Sequence, residues 1–176
     1  MKISALHDLY IEQLRELYDA EQQLRKPLAA AAKAAASQEL KDALEEHLDQ
    51  SEAHLVRLKE ILESLGEDPA PKKCLGMAGL AAELQEMLEA DAAPEVMDVG
   101  IIGSLQRIEH YEIAAYGCLS AYARLLGREE DSDILQETLD DEKEADEILT
   151  DIADTVNQEA HQGEGAEVDH DEEEEE

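Results

Sequence analysis

The chain has no phenylalanine and no tryptophan, and its 3% aromatic content is tyrosine alone. Sheet proteins draw on aromatic and β-branched side chains to cover pleated faces, so this poverty points to an aliphatic, helical core of Ala, Leu and Ile. Cysteine is nearly as scarce. Cys74 and Cys118 are too few for a disulfide framework and lack CxxC spacing, which reads as free thiols in a reducing compartment. Long hydrophobic runs are missing as well: nothing approaches the ~18 apolar residues of a membrane span, and "MKISALHDLY" has no hydrophobic leader. The expected location is cytoplasmic. Positive charge is the last shortage. Against 46 acidic residues stand 14 Lys and Arg, a net charge of −32. Phosphate backbones and anionic membrane surfaces would be repelled, so the reading is no nucleic acid and no membrane partner.

The acid is not confined to one place. "NQEAHQGEGAEVDHDEEEEE", residues 157–176, holds 10 acids and no Lys or Arg, yet residues 1–156 still carry 36 acids against 14 bases, a net −22. A uniformly acidic, Lys-poor exterior is the pattern of cytosolic proteins in salt-accumulating halophiles, where cations screen self-repulsion; an acidic mesophilic protein is the alternative. At 43% hydrophobic, the chain has enough apolar material for one core. The expected division is a bundle over 1–156 and a disordered acidic tail over 157–176, which has charge but nothing to bury. The two tail histidines read as part of a solubilising segment rather than a cation scavenger.

Helical periodicity runs through the rest. Leu9, Leu14, Leu17, Leu24 and Leu28 predict a first long helix from about Ser4 to Ala36, kinked at Pro27. Ser37 reads as the N-cap of a second, carrying Leu40, Leu44, Leu48, Leu55, Leu58 and Leu62 until Gly66. "EDPAPKKC" and a shorter helix in "LGMAGLAAELQEMLEADAAP" form a long link. A third long helix spans about Pro94 to Leu126, closed by Gly127, and a fourth about Glu130 to Thr155, where periodicity fades. Two pairs joined by one long crossover match an all-α, ferritin-like four-helix bundle with a short extra helix in the crossover.

The inner faces carry unusual residues. On the third helix the stripe of Ile102, Leu105, Ile108, Ile113 and Leu119 includes Glu109 and Glu112, which lie about 60° apart around the axis and point at one spot. Glu142 interrupts the fourth-helix face of Leu135, Leu139, Ile148, Leu149 and Ile152, with Asp146 one turn on. Glu21 stands between Leu17 and Leu24, and His47 between Leu44 and Leu58, in line with Ser51 and His54. One inward Glu is usually a solvated residue on a misjudged face. Four helices interrupted at matching depth are better explained by metal ions, because buried carboxylates cost several kcal/mol unless neutralised and few bases sit near. Oxygen and imidazole donors suit iron or manganese. Cys118 reads as a small core residue rather than a nucleophile.

"LYDAEQQL" (17–24), "HLDQS" (47–51), "RIEHYEIAAYG" (107–117) and "ETLDDEK" (137–143) resemble the signature segments of the YciE/YciF family of ferritin-like, rubrerythrin-related proteins, in order over about residues 5–156. The resemblance implies a two-metal site, a homodimer and a role in stress responses. Position by position it implies Glu21, His47, Glu109, Glu112 and Glu142 as ligands, with Gln50, His54 and Asp146 as further candidates. Di-iron bundles of this kind use Glu-x-x-His on two helices; here Gln50 and Ala145 stand at those spacings. The expected function is a di-metal carboxylate protein that binds iron, or manganese, and reacts it with oxygen or peroxide under oxidative stress, as a ferroxidase or a peroxide-reducing oxidoreductase, with Tyr18 or Tyr111 donating to the ligands. The rival is a non-enzymatic helical stress protein that acts as a dimer, its site structural or empty. A mineral-storing cage is a third reading without a feature in its favour.

Overall fold

The computed structural model describes residues 3–168, and among them five helices and no strand. Helix α1 (Leu6–Ala34) buries Tyr10, Leu14, Leu17, Ala20, Glu21, Leu24, Leu28 and Ala31, the three-and-four spacing of a single inward face. It runs on through Pro27, where the missing N–H costs one rung of the hydrogen-bond ladder. Ser37 caps α2 (Gln38–Ser64), its hydroxyl accepting from the Leu40 N–H at 3.4 Å. The short turn between these helices is gripped from across the bundle. The buried Asp98 carboxylate accepts from the backbone N–H groups of Ala36 and Ser37, both at 2.8 Å.

Gly66 and Gly127, with φ of +74° and +72°, follow α2 and the third long helix, where a left-handed residue ends a helix without a Cβ penalty. Beyond Gly66 the crossover lies along α1. Lys72 pairs with Glu12 at 3.0 Å and Glu16 at 2.9 Å, and Arg15 with Glu67 at 2.7 Å. Helix α3 (Leu75–Leu88) begins at Cys74, whose N–H donates to Asp19 at 2.7 Å and whose sulfur accepts from the Met77 N–H at 3.3 Å. It seats closely on the next helix: a Cβ on Gly76 would lie 2.8 Å from the Tyr111 ring, and one on Gly100 would overlap Met87.

Helix α4 (Pro94–Leu125) starts with Pro at a position where no N–H is needed, and α5 (Glu129–Val168) packs along it most extensively, and along α2 as well. At one end Tyr10 donates to Asp131 at 3.1 Å, while Arg128 bonds both Asp131 and Ser64. The predicted bundle, with its crossover and short extra helix, is the architecture the chain adopts.

Three local expectations change. Ile148 is 37% exposed, and Ala145 takes an inward place beside Leu149 and Ile152; adjacent residues diverge by about 100° on a helix, and on this turn Leu149 points into the core while Ile148 lines the surface between α2 and α5. Cys118 is exposed, because Tyr116 and Leu119 occupy the inward directions on that turn. Helix α5 continues to Val168, past the end expected near Thr155, although among its residues up to 163 Val156 is the last buried apolar side chain. Backbone hydrogen bonds outlast the apolar stripe there. The remainder of the tail expected to be disordered, residues 169–176, lies outside the described residues.

Candidate metal centre

Four helices place ionisable side chains in the middle of the bundle, and the local reason is register. Glu109, Glu112 and Tyr116 follow one another by three and four residues on α4, as His47, Ser51 and His54 do on α2, so each trio shares a face. His47 and His54 are two turns apart, which separates their Cα atoms by about 10 Å along the axis with only about 20° of rotation. One helix thus supplies an imidazole to each end of the cluster.

The donor atoms fall into two groups. In the first, atoms of His47, Glu109, Glu112 and Glu142 all lie within 4.8 Å of one another; in the second, atoms of Glu21, His54 and Glu142 do so. Glu142 belongs to both. Its Oε2 is 3.9 Å from His47 Nε2 and its Oε1 is 3.1 Å from His54 Nδ1. His47 Nε2 is also 3.4 Å from Glu109 Oε1, and His54 Nδ1 is 3.3 Å from Glu21 Oε1. All six side chains are buried.

The ring nitrogens that face away from the cluster are engaged. His54 Nε2 meets Asp141 Oδ2 at 3.2 Å, and the same oxygen accepts from Arg57 Nη1 at 2.6 Å. With one proton directed to Asp141, a His54 ring that gives up its other proton in favour of a cation would turn the Nδ1 lone pair toward Glu21 and Glu142. His47 Nδ1 meets Gln50 Oε1 at 3.4 Å, which in the same way leaves Nε2 for the cluster. Glu21 is held on both oxygens: Tyr116 donates to Oε1 at 2.5 Å and Ser51 to Oε2 at 2.7 Å.

Charge in this core is poorly balanced. Burial pushes the Glu109 and Glu142 carboxyls up, each to about 8; the Glu21 charge adds to the rise in both, and His54 pulls the other way. Burial and the surrounding carboxylates Glu21, Glu142 and Glu109 push Glu112 well above the usual range. Glu21 alone goes the other way, because His54, Tyr116 and Ser51 together outweigh its burial. Burial opposes charge on His54, yet Glu142 and Glu21 outweigh it and raise the imidazole to about 10. The fit to metal ions rests on what remains unpaired. Both oxygens of Glu109, Glu112 and Glu142, with His47 Nε2 and His54 Nδ1, are buried without a hydrogen-bond partner. Eight such atoms converging in a core are a large unmet demand for positive charge, and oxygen with imidazole is a donor set that could hold a metal ion.

Glu21, His47, Glu109, Glu112 and Glu142 are thus brought together, and His54 joins them in the second group. Gln50 stands outside both groups, its amide against His47. Asp146 also lies outside, with Oδ2 3.9 Å from His110 Nε2. The tyrosine that reaches a carboxylate of the cluster is Tyr116; Tyr111 instead meets the Cys74 sulfur at 2.9 Å. The expectation of Tyr18 or Tyr111 fails because Tyr111 faces α3, whereas Tyr116 follows Glu112 by one turn on the inward face. Asp141 is not marked in the sequence, and Arg57 reads there only as one of the few bases beside the stripes. Their one signal was spacing: Arg57 follows His54 by three residues, so both can reach the same carboxylate.

Comparisons with known proteins agree with this architecture. The family described as a domain of unknown function, DUF892, matches residues 5–161. Protein YciF of Escherichia coli is 36% identical over 162 residues, 91% of this chain and 98% of YciF. The crystal structure of the E. coli stress protein YciF superposes with a TM-score of 0.85 at 35% identity, covering 89% of this chain and 99% of that one. YcfI of Rhodopseudomonas palustris superposes at 0.82 with 34% identity, covering 85% and 95%. A single register of helices and crossover is therefore shared over nearly the full length, and the chain belongs to the DUF892 family of YciF-like proteins.

Proposed function

We propose that this is a ferritin-like, di-metal carboxylate protein that binds iron, or manganese, and reacts it with peroxide or oxygen in a stress response. The observation that carries the reading is the set of eight buried, unpartnered donor atoms divided between two groups that share Glu142. Glu109, Glu112 and His47 would hold one ion and Glu21 and His54 the other, with Glu142 between them. Held there as a ferrous pair, the metal would supply the two electrons that, with two protons, convert hydrogen peroxide to two waters.

The chain's own part is to bind, orient and keep protons in place. Asp141 and Gln50 fix the ring directions of His54 and His47, so that each presents a lone pair rather than an N–H. Tyr116 and Ser51 hold Glu21 in its ionised form at the far end. Binding of cations must displace the protons that Glu109, Glu142 and His54 hold near neutral pH, so metal uptake releases protons. Leu44, Leu105, Leu139 and Leu149 are buried in the same core and limit bulk water there, which strengthens every charge interaction inside.

The test is anaerobic titration with Fe(II) followed by calorimetry, then addition of peroxide while ferric absorbance is recorded. We expect about two ions per chain and peroxide-dependent oxidation, with both reduced in Glu142→Ala and Glu109→Ala. Wild-type protein that takes up no Fe(II) or Mn(II), and whose melting temperature neither ion shifts, would favour the structural, non-enzymatic dimer instead. The stress connection is drawn from the YciF description and is proposed on that basis alone.

A further inference from the structure

The site is enclosed by four helices, and a cation needs a way in. On the His47 side, Ala43, Gln50 and Ala145 border a recess of about 20 Å³ whose inner wall includes His47 and Glu109. That is room for about one water-sized body. Ala145 makes this space: it stands three residues after Glu142, where an imidazole would fill it.

Beside the recess lies a groove between α2 and α5, and the two share a wall of Ala43, Glu46 and Ile148. The groove is lined by Glu39, Asp42, Glu46 and Asp151 and by no Lys or Arg. Glu39, Asp42 and Glu46 recur at three and four residues along α2, and all four acids are exposed. A few acids elsewhere on this surface are paired: Glu12 and Glu16 with Lys72, Glu137 and Asp141 with Arg57, Glu67 with Arg15. Among the described residues, no ion pair involves the four groove acids, although Asp42 accepts from Gln38 at 2.7 Å.

Acidic residues alone would be a solvated face. What distinguishes this groove is the recess that shares its wall, where Glu109, 1% exposed, and His47 present buried atoms without partners. We propose that the α2–α5 groove is the ingress route for divalent cations, with its acids gathering the hydrated ion and the Ala145 recess passing it to Glu109 and His47. Converging like charges raise the local cation concentration, and the ion exchanges its water for carboxylate oxygen at the recess. This rests on the metal-centre reading and adds to it a direction of loading, with the His47 end filled first.

The test is stopped-flow uptake of Co(II) by the full chain, read from the absorbance of the bound ion. A Glu46→Lys/Asp151→Lys double variant is compared with Glu83→Lys/Glu86→Lys on α3, which changes net charge equally but lies elsewhere. We expect the groove variant to slow uptake at least about fivefold at low ionic strength, with the gap closing in high salt, and final stoichiometry to be unchanged. Ala145→Leu should slow uptake at any salt concentration; if that variant fails to fold, the charge pair still decides. Equal rates for the groove and control variants would overturn the route while leaving the centre intact. No Co(II) uptake by the wild type would overturn the centre itself.

Discussion

In the metal-free protein, Glu109 and Glu142 keep their protons up to about pH 8. An unfolded chain releases them near the ordinary 4.5, so between those values the folded state binds more protons and stability falls as pH rises. His54 acts in the same direction between its ordinary 6.5 and about 10. We therefore expect the melting temperature of metal-free protein to decline from about pH 5 to about pH 9, and saturating Mn(II) to remove most of the decline. A metal-free melting temperature that rises across that window would contradict the charge assignment. Glu109→Gln keeps the shape of the protonated acid without its charge. At pH 8 it should stabilise the metal-free protein by on the order of 1–3 kcal/mol in urea unfolding while abolishing much of the metal-induced shift. At this scale Glu21, His47, Glu109, Glu112 and Glu142 were legible because each breaks an apolar stripe. Asp141 was not, nor were the partners of Arg57 and Tyr116: in a chain with 34% charged residues, a partly exposed Asp or Arg looks like any other, and a Tyr on the inward stripe looks like core.

The elements are joined by few but specific polar contacts. Asp98, near the start of α4, holds the turn between α1 and α2 through two amide donors, and Ser37 begins α2 beside it. Asp98→Ala would leave both N–H groups without that acceptor, and we expect a loss of about 2 kcal/mol in denaturant unfolding. Metal stoichiometry should be unchanged, because the ligands lie in mid-helix. A variant as stable as wild type would show that the turn is held by packing alone. The helices themselves were readable from leucine spacing, and their ends from Ser37, Gly66 and Gly127. The long run of α5 to Val168 was not, since a helix that has already nucleated can extend on backbone hydrogen bonds after its apolar stripe has stopped. The phase of α5 was misjudged at Ile148 for a related reason: Ile148 and Leu149 are equally apolar, and only the position of α4 and α2 selects which faces inward.

Across the whole molecule the net charge of −32 opposes compaction. Raising KCl from about 0.01 to 1 M shortens the screening length from about 30 to about 3 Å, so the melting temperature should climb steadily in thermal scans. A flat or falling profile would mean that surface repulsion contributes little. No helix among the described residues is long and apolar enough to cross a membrane. The sequence by itself determined the class of the fold, the order of its helices and the inward carboxylates, because apolar periodicity and its interruptions are local properties of the chain. Only the tertiary structure decided that two histidines of one helix serve opposite ends of the cluster, that Glu142 stands between them, and that Gln50 and Asp141 aim the rings. Those relations depend on distances between helices, and no spacing along a single helix contains them.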